Sequence, residues 1–78
     1  MYSIDDLIKV IDKTGVVGDI GKFDPHKSFR DNGIDSLEVF AIFLAIEEEY
    51  KIKINEEDSM RISTLGQLLV FLNSHVSS

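Results

Sequence analysis

Length, composition and charge exclude several classes of protein. The chain has 78 residues, enough for one domain over residues 1–78, and no cysteine, so it offers no disulfide, thiolate metal site or thiol nucleophile. No apolar run reaches the roughly 20 residues of a membrane span. The first residues also lack the basic and then apolar pattern of a signal peptide. We therefore expect a cytoplasmic protein that acts as a monomer.

The net charge of −6 is concentrated in one part of the chain. Residues 1–30 contain five acidic and five basic residues, whereas residues 31–60 contain nine acidic residues and two lysines, a balance of −7. Such a surface repels the phosphate backbone of a nucleic acid and attracts a basic protein. The charge pattern therefore argues against nucleic-acid binding and favours a basic protein partner.

The first predicted helix begins after Ser3, whose side chain can form a capping box with Asp6. Apolar residues follow at helical spacing until Gly15 ends the helix. A long loop over residues 15–35 comes next, with four glycines and Pro25. Its apolar residues predict that it packs against the helices: Val16, Val17, Ile20, Phe23, Phe29 and Ile34.

Three more helices are predicted after this loop. Asp35 is a good N-cap for a helix from Ser36 to Tyr50, and residues 51–54 form a connection. Asn55 caps a short third helix, and a capping box at residues 64–67 begins the last one, which ends near Ser74. The sequence thus predicts an all-α fold, a small four-helix bundle of three main helices and one short helix, with a long loop between the first two.

The second helix has more apolar residues than one packing face needs. On a helical wheel the core stripe contains Val39, Ile42, Phe43, Ile46 and Tyr50. Glu38, Ala41, Ala45, Glu48 and Glu49 lie broadly opposite. A second stripe remains, which we call the second apolar stripe: Leu37, Phe40 and Leu44. It adjoins Ser36, and it either packs against the long loop or forms a docking surface for a partner.

The sequence GIDSL at residues 33–37, followed by a helix that ends in EEEY at residues 47–50, resembles the acyl carrier proteins. The likeness covers nearly the whole chain, including the first amphipathic helix, the long loop with Phe29 and the start of the last helix. The resemblance implies that Ser36 carries a covalent 4'-phosphopantetheine, taken from coenzyme A by a phosphopantetheinyl transferase. It also implies that the chain is not an enzyme and carries acyl groups as thioesters.

The physical chemistry of Ser36 agrees with this resemblance. Unpaired backbone N–H groups and the helix dipole favour a phosphate at a helix N-terminus. The partners that the resemblance implies are the transferase and the enzymes that load and process acyl groups. We expect their basic docking surfaces to bind the second apolar stripe and nearby acidic residues. The expected partner-binding residues are Asp35, Leu37, Glu38, Phe40, Leu44, Glu47 and Glu48.

The chain departs from the common carrier pattern in places. Asn32 stands where leucine is common and Ile34 where alanine is common, while Val39 and Ala41 replace polar or acidic residues. These differences are compatible with a specialised carrier as much as with one that serves general fatty-acid elongation, in which they would be drift on a tolerant surface. Fatty-acid, lipid and polyketide-type biosynthesis remain open, and so does a carrier of aminoacyl or peptidyl groups.

Other interpretations of Ser36 are a plain helix cap, a hydrolase nucleophile, or a bystander in an unmodified acidic adaptor domain. A hydrolase would need His26 or His75 as its base, but the surrounding sequence is not the Gly-x-Ser-x-Gly motif. The two histidines also lack the spacing of zinc ligands. Residues 31–35 lack the register of a calcium loop, so no metal site is predicted.

Overall fold

Four α-helices form the protein in a computed structural model that describes residues 1–74. Helix α1 covers Ile4–Thr14, α2 covers Ser36–Tyr50, α3 covers Glu56–Arg61 and α4 covers Leu65–Ser74. A short 3-10 helix, Ile20–Lys22, lies in the loop between α1 and α2. The predicted all-α four-helix bundle is confirmed, and α3, with 6 residues, is its short helix. No helix of residues 1–74 is both long and apolar enough to cross a membrane.

Side chains fix where the two longest helices begin. The Asp6 backbone N–H donates to Ser3 Oγ at 3.2 Å, and the Ser3 N–H donates back to Asp6 Oδ2 at 3.0 Å. Asp35 and Glu38 make the same reciprocal pair at the start of α2, at 2.9 and 3.1 Å. Each box satisfies two of the backbone donors that a helix leaves without partners at its first turn.

The ends of α1 and α2 use the left-handed backbone conformation. Gly15 follows α1 with φ of 74°, where the lack of a Cβ makes this conformation easy. Lys51 follows α2 with φ of 56° and is the one non-glycine residue with positive φ within residues 1–74. Its N–H donates to the Glu47 carbonyl, so the chain turns sharply away from α2.

The long loop packs against the helices, as predicted. Phe23, Phe29 and Ile34 are buried in the core. The Phe29 ring meets the Phe43 ring of α2 edge-on, with centroids 6.1 Å apart, and its N–H donates to the Ser63 carbonyl at 2.8 Å. A segment distant in sequence therefore holds the loop in front of α2.

The hydrophobic core lies where α1 packs against both α2 and α4. No polar or charged side chain within residues 1–74 is buried. The buried side chains are all apolar: Leu7, Val10, Ile11, Phe23, Phe29, Ile34, Ile42, Phe43, Ile46, Ile54, Ile62, Leu65, Leu68 and Leu72. Stability thus comes from apolar burial, and the polar chemistry of the described chain is left to its surface.

The helical wheel of α2 needs two corrections at its edges. Val39 and Tyr50, expected in the core stripe, are only partly buried, and the Tyr50 ring stacks on Tyr2 with centroids 4.2 Å apart. Ala45, expected opposite the core, is partly buried and packs against it. A helical wheel gives the direction of each side chain. It does not show where the neighbouring helix α1 packs against α2.

Candidate functional site

Ser36 is the first residue of α2 and is exposed. It does not cap the helix, because the side chain of Asp35 accepts the Glu38 N–H in that role. The Ser36 hydroxyl forms no hydrogen bond with residues 1–74, whereas many surface hydroxyls of this protein are tied to the backbone, as that of Ser59 is to the Glu56 carbonyl at 2.8 Å. The interpretation of Ser36 as a plain cap is therefore wrong, and its oxygen is free to react.

Two backbone N–H groups remain available beside this hydroxyl. Of the four donors at the start of α2, the capping box engages those of Asp35 and Glu38. The N–H groups of Ser36 and Leu37 have no acceptor among the described residues. They point out of the positive end of the helix dipole, so the site can stabilise an anion on Ser36.

An open groove of about 570 Å³ runs beside Ser36, between α2, the preceding loop and α3. Phe29 and Phe43 are buried and form its apolar base, while Phe40 and Met60 stand exposed at its rim. Its described lining is Ser28, Phe29, Arg30, Ile34, Asp35, Ser36, Val39, Phe40, Phe43, Ser59, Met60, Ile62 and Ser63. A group attached to Ser36 would begin at the edge of this groove.

The second apolar stripe is exposed along its whole length. Leu37 is 79% exposed, Phe40 61% and Leu44 44%. Phe40 lines the groove together with Ser36, whereas Leu37 and Leu44 do not line it. The stripe therefore has one residue at the groove and two exposed residues outside it.

The acidic residues expected around the second apolar stripe differ in the hydrogen bonds that they form within the protein. Asp35 and Glu38 form the capping box. Glu47 is partly buried, and its Oε2 accepts the Ile54 N–H at 2.7 Å, which ties the connection after α2 to the helix. Glu48 is exposed and borders a hollow on the α1 side, away from the groove. The structure thus brings Asp35 and Phe40 to Ser36, and separates Glu48 from it.

Sequence reasoning missed several residues of the groove, among them Arg30 and Met60. Arg30 lies in an aperiodic loop and Met60 in a helix of 6 residues, so neither had a periodic pattern that would assign it to a surface. Met60 is 79% exposed, which leaves it beside Phe40 as part of the apolar rim.

Asn32, which departs from the carrier pattern, has a structural role. Its Oδ1 accepts the Asp24 N–H at 2.8 Å, and its side-chain amide donates to the carbonyls of Asp24 and Ser28 at 2.9 and 3.0 Å. A leucine could make none of these bonds. These hydrogen bonds tie together the loop before Ser36.

Of the two candidate bases, only His26 lies within the described residues, and it does not meet Ser36. His26 is exposed and borders a hollow near Thr64 and Val70, which does not include Ser36. His75 lies outside the described residues. Within residues 1–74, no three His, Cys, Asp or Glu side chains are grouped so that they could hold a metal ion.

The family model of the phosphopantetheine attachment site matches residues 8–72. The chain belongs to this family. It is a carrier protein that bears a covalently attached 4'-phosphopantetheine, and the resemblance to acyl carrier proteins agrees with the match. Carrier domains of this family are not catalytic, and they present acyl groups to partner enzymes after a phosphopantetheinyl transferase has modified them. The exposed hydroxyl, the two free N–H groups and the open groove fit such a group.

Proposed function

We propose that Ser36 is the attachment residue of this carrier and that residues 1–78 act as one carrier domain. The observation that carries the proposal is the free hydroxyl of Ser36 at the start of α2, with Asp35 acting as the cap in its place. A serine engaged in capping would have to give up a hydrogen bond before it could react. Ser36 has no such bond to lose among the described residues.

The modification uses Ser36 Oγ as the nucleophile of a group transfer. The hydroxyl loses its proton to a base of the transferase, and its oxygen forms a bond to the phosphorus that carries the pantetheine arm. The diphosphate P–O bond on the other side of that phosphorus breaks, and the nucleotide part of coenzyme A leaves with the bridging oxygen. The adjacent N–H groups of Ser36 and Leu37 then face the negative charge of the new phosphodiester. When bound, the arm supplies a terminal thiol that holds acyl groups as thioesters.

We propose that the second apolar stripe binds the partner enzymes, with Asp35, Glu38, Glu47 and Glu48 attracting their basic surfaces. Exposed apolar side chains next to a reactive residue are typical of protein-binding sites. Acidic residues around them raise the rate of encounter with a basic partner. Such partners would be enzymes of a specialised fatty-acid, lipid or polyketide-type pathway in the cytoplasm.

Intact-mass measurement tests the attachment residue. The protein is incubated with coenzyme A and a broad-specificity phosphopantetheinyl transferase. We expect one added phosphopantetheine in the wild type, none in Ser36→Ala, and one in the matched control Ser59→Ala, which changes another serine of the same groove. Addition that persists in Ser36→Ala would overturn the assignment, as would the absence of any addition to the wild type.

A further inference from the structure

Arg30 is the one basic residue among the described residues that line the groove beside Ser36. It is exposed and forms no ion pair within residues 1–74, where the single ion pair joins Lys13 and Glu49 at 3.6 Å. An acidic residue, Asp35, lines the same groove without pairing with it. The guanidinium is therefore available to an anion that arrives in the groove.

The other polar side chains of the groove are already engaged. The hydroxyl of Ser28 accepts a backbone N–H of its own loop at 3.0 Å. Ser59 donates to the Glu56 carbonyl at 2.8 Å, and Ser63 donates to Gln67 Oε1 at 3.0 Å. Ser28 and Ser36 still have hydroxyl hydrogens to donate, but Arg30 is the one positively charged donor among the described lining residues.

We infer that Arg30 is a positioning residue for the prosthetic arm, because its guanidinium binds the phosphodiester that modification places on Ser36. This inference rests on the proposed attachment at Ser36. Guanidinium presents a planar set of N–H donors that matches two phosphate oxygens, which the ammonium of lysine cannot do. Together with the N–H groups of Ser36 and Leu37, Arg30 gives the phosphodiester a set of donors from both the helix and the loop.

The consequence is a restrained start to an otherwise flexible arm. A phosphodiester held by Arg30 keeps the first atoms of the arm against the groove, so partner enzymes meet a narrower range of arm directions. Ordering of this kind lowers the entropy that a partner must remove when it binds the arm. Arg30 touches no reacting thioester, and its effect acts through the position of the arm.

The test compares apo and holo forms of the wild type, Arg30→Gln and Lys27→Gln. Lys27 is a matched control, because it is exposed in the same loop but does not line the groove. Intact mass first verifies loading at Ser36. We then expect loading to shift the Arg30 side-chain Nε resonance in the wild type. The ³¹P resonance of holo Arg30→Gln should differ from those of the wild type and of Lys27→Gln.

Thermal unfolding supplies a second readout. Loading should raise the Tm of the wild type more than that of Arg30→Gln, by about 2–4 °C, the effect of an exposed charge pair in so small a domain. The difference should shrink in about 1 M salt, which screens the pair. Arg30→Lys should restore only part of it, since lysine keeps the charge but not the planar donors.

Three results would overturn the inference. Loading on Ser36 that neither shifts the Arg30 Nε resonance of the wild type nor gives holo Arg30→Gln a different ³¹P resonance would overturn the inference while leaving the proposed function intact. Equal changes in Arg30→Gln and Lys27→Gln would show a general effect of charge rather than contact with the arm. Failure to load Ser36 at all would remove both the inference and the proposed function.

Discussion

Helices α1 and α2 begin and end in the same way but expose different surfaces. Each starts with a capping box and is followed by a residue in the left-handed conformation. Every apolar residue of α1 between Ile4 and Ile11 is buried or partly buried, whereas α2 leaves Leu37, Phe40 and Leu44 exposed. Folding alone explains the apolar residues of α1. It does not explain the exposure of these three residues of α2, for which we propose a docking role; Leu37 and Phe40 lie in the half of the helix that begins with Ser36.

A charged side chain placed in the core should lower stability more than any other change, and by equal amounts in the two helices. Ile11 of α1 and Ile46 of α2 have no exposed surface. Ile11→Asp and Ile46→Asp should each lower the free energy of unfolding by about 4 kcal/mol or more, because a buried carboxylate lacks a partner. That loss is comparable with the whole stability of a small domain. Circular dichroism should show both variants largely unfolded.

Leu44→Asp is the matched variant on the exposed face of α2. It should cost only about 1 kcal/mol in unfolding by urea, and it should slow loading by the transferase or acyl transfer by a partner enzyme. Phe43→Asp, one residue earlier and buried, should unfold the protein. If Leu44→Asp unfolds it as thoroughly, the second apolar stripe belongs to the core and the contrast with α1 fails.

Substitutions of Glu47 and Glu48 in α2 should differ in their effect on stability, because Glu47 has a structural role and Glu48 faces solvent. Glu47→Ala removes the acceptor of the partly buried Ile54 N–H and should cost about 1–2 kcal/mol. Glu48→Ala should change stability by less than about 0.5 kcal/mol. Urea midpoints measure both. Equal midpoints would show that the Glu47 contact contributes nothing.

For partner binding, Glu48→Lys is therefore the cleaner test of electrostatic attraction. It should lower the association rate with a basic partner, and the effect should weaken at high salt. Glu47→Lys should show the same change in rate together with a loss of stability. An unchanged rate in Glu48→Lys would confine the docking surface to the end of α2 that bears Ser36.

The two capping boxes should contribute equally to stability, but only the box of α2 should affect the loading of Ser36. Ser3→Ala in α1 and Asp35→Ala in α2 should each cost about 1 kcal/mol, because each removes the acceptor of one backbone N–H. Only Asp35→Ala should also slow loading of Ser36, since it loosens the first turn that presents the hydroxyl. Thermal melts and timed mass spectra report the two effects. Slower loading in Ser3→Ala as well would reveal an effect of stability alone.

Substitutions of the residues that follow α1 and α2 should give the smallest change in stability. Lys51 adopts the left-handed conformation despite its Cβ, so Lys51→Gly should stabilise the protein by about 0.5 kcal/mol. Gly15→Ala should have the opposite sign, because it introduces a Cβ where φ is 74°. A lower Tm for Lys51→Gly would mean that the lysine side chain contributes more than its backbone strain costs.

Sequence patterns predicted much of the fold because most features that begin and end its helices depend on residues close together in the chain. The capping boxes, Gly15 and the beginning of α3 at Asn55 depend on residues at most four positions apart. The same holds for the identity of the N-cap at α2, which leaves the Ser36 hydroxyl free. The wheel of α2 also placed Leu37, Phe40 and Leu44 outside the core, and all three are exposed.

The sequence by itself thus determined the helices, their caps and the exposure of Ser36, since each follows from neighbours along the chain. Tertiary structure alone decided the groove, because Phe29 reaches its place through a hydrogen bond to Ser63, 34 positions away in the printed numbering. It also decided that Glu47 holds Ile54 and that Arg30 shares a groove with Ser36. None of these contacts leaves a periodic pattern in the sequence, and the packing of the loop against α2 and α3 is what forms the groove.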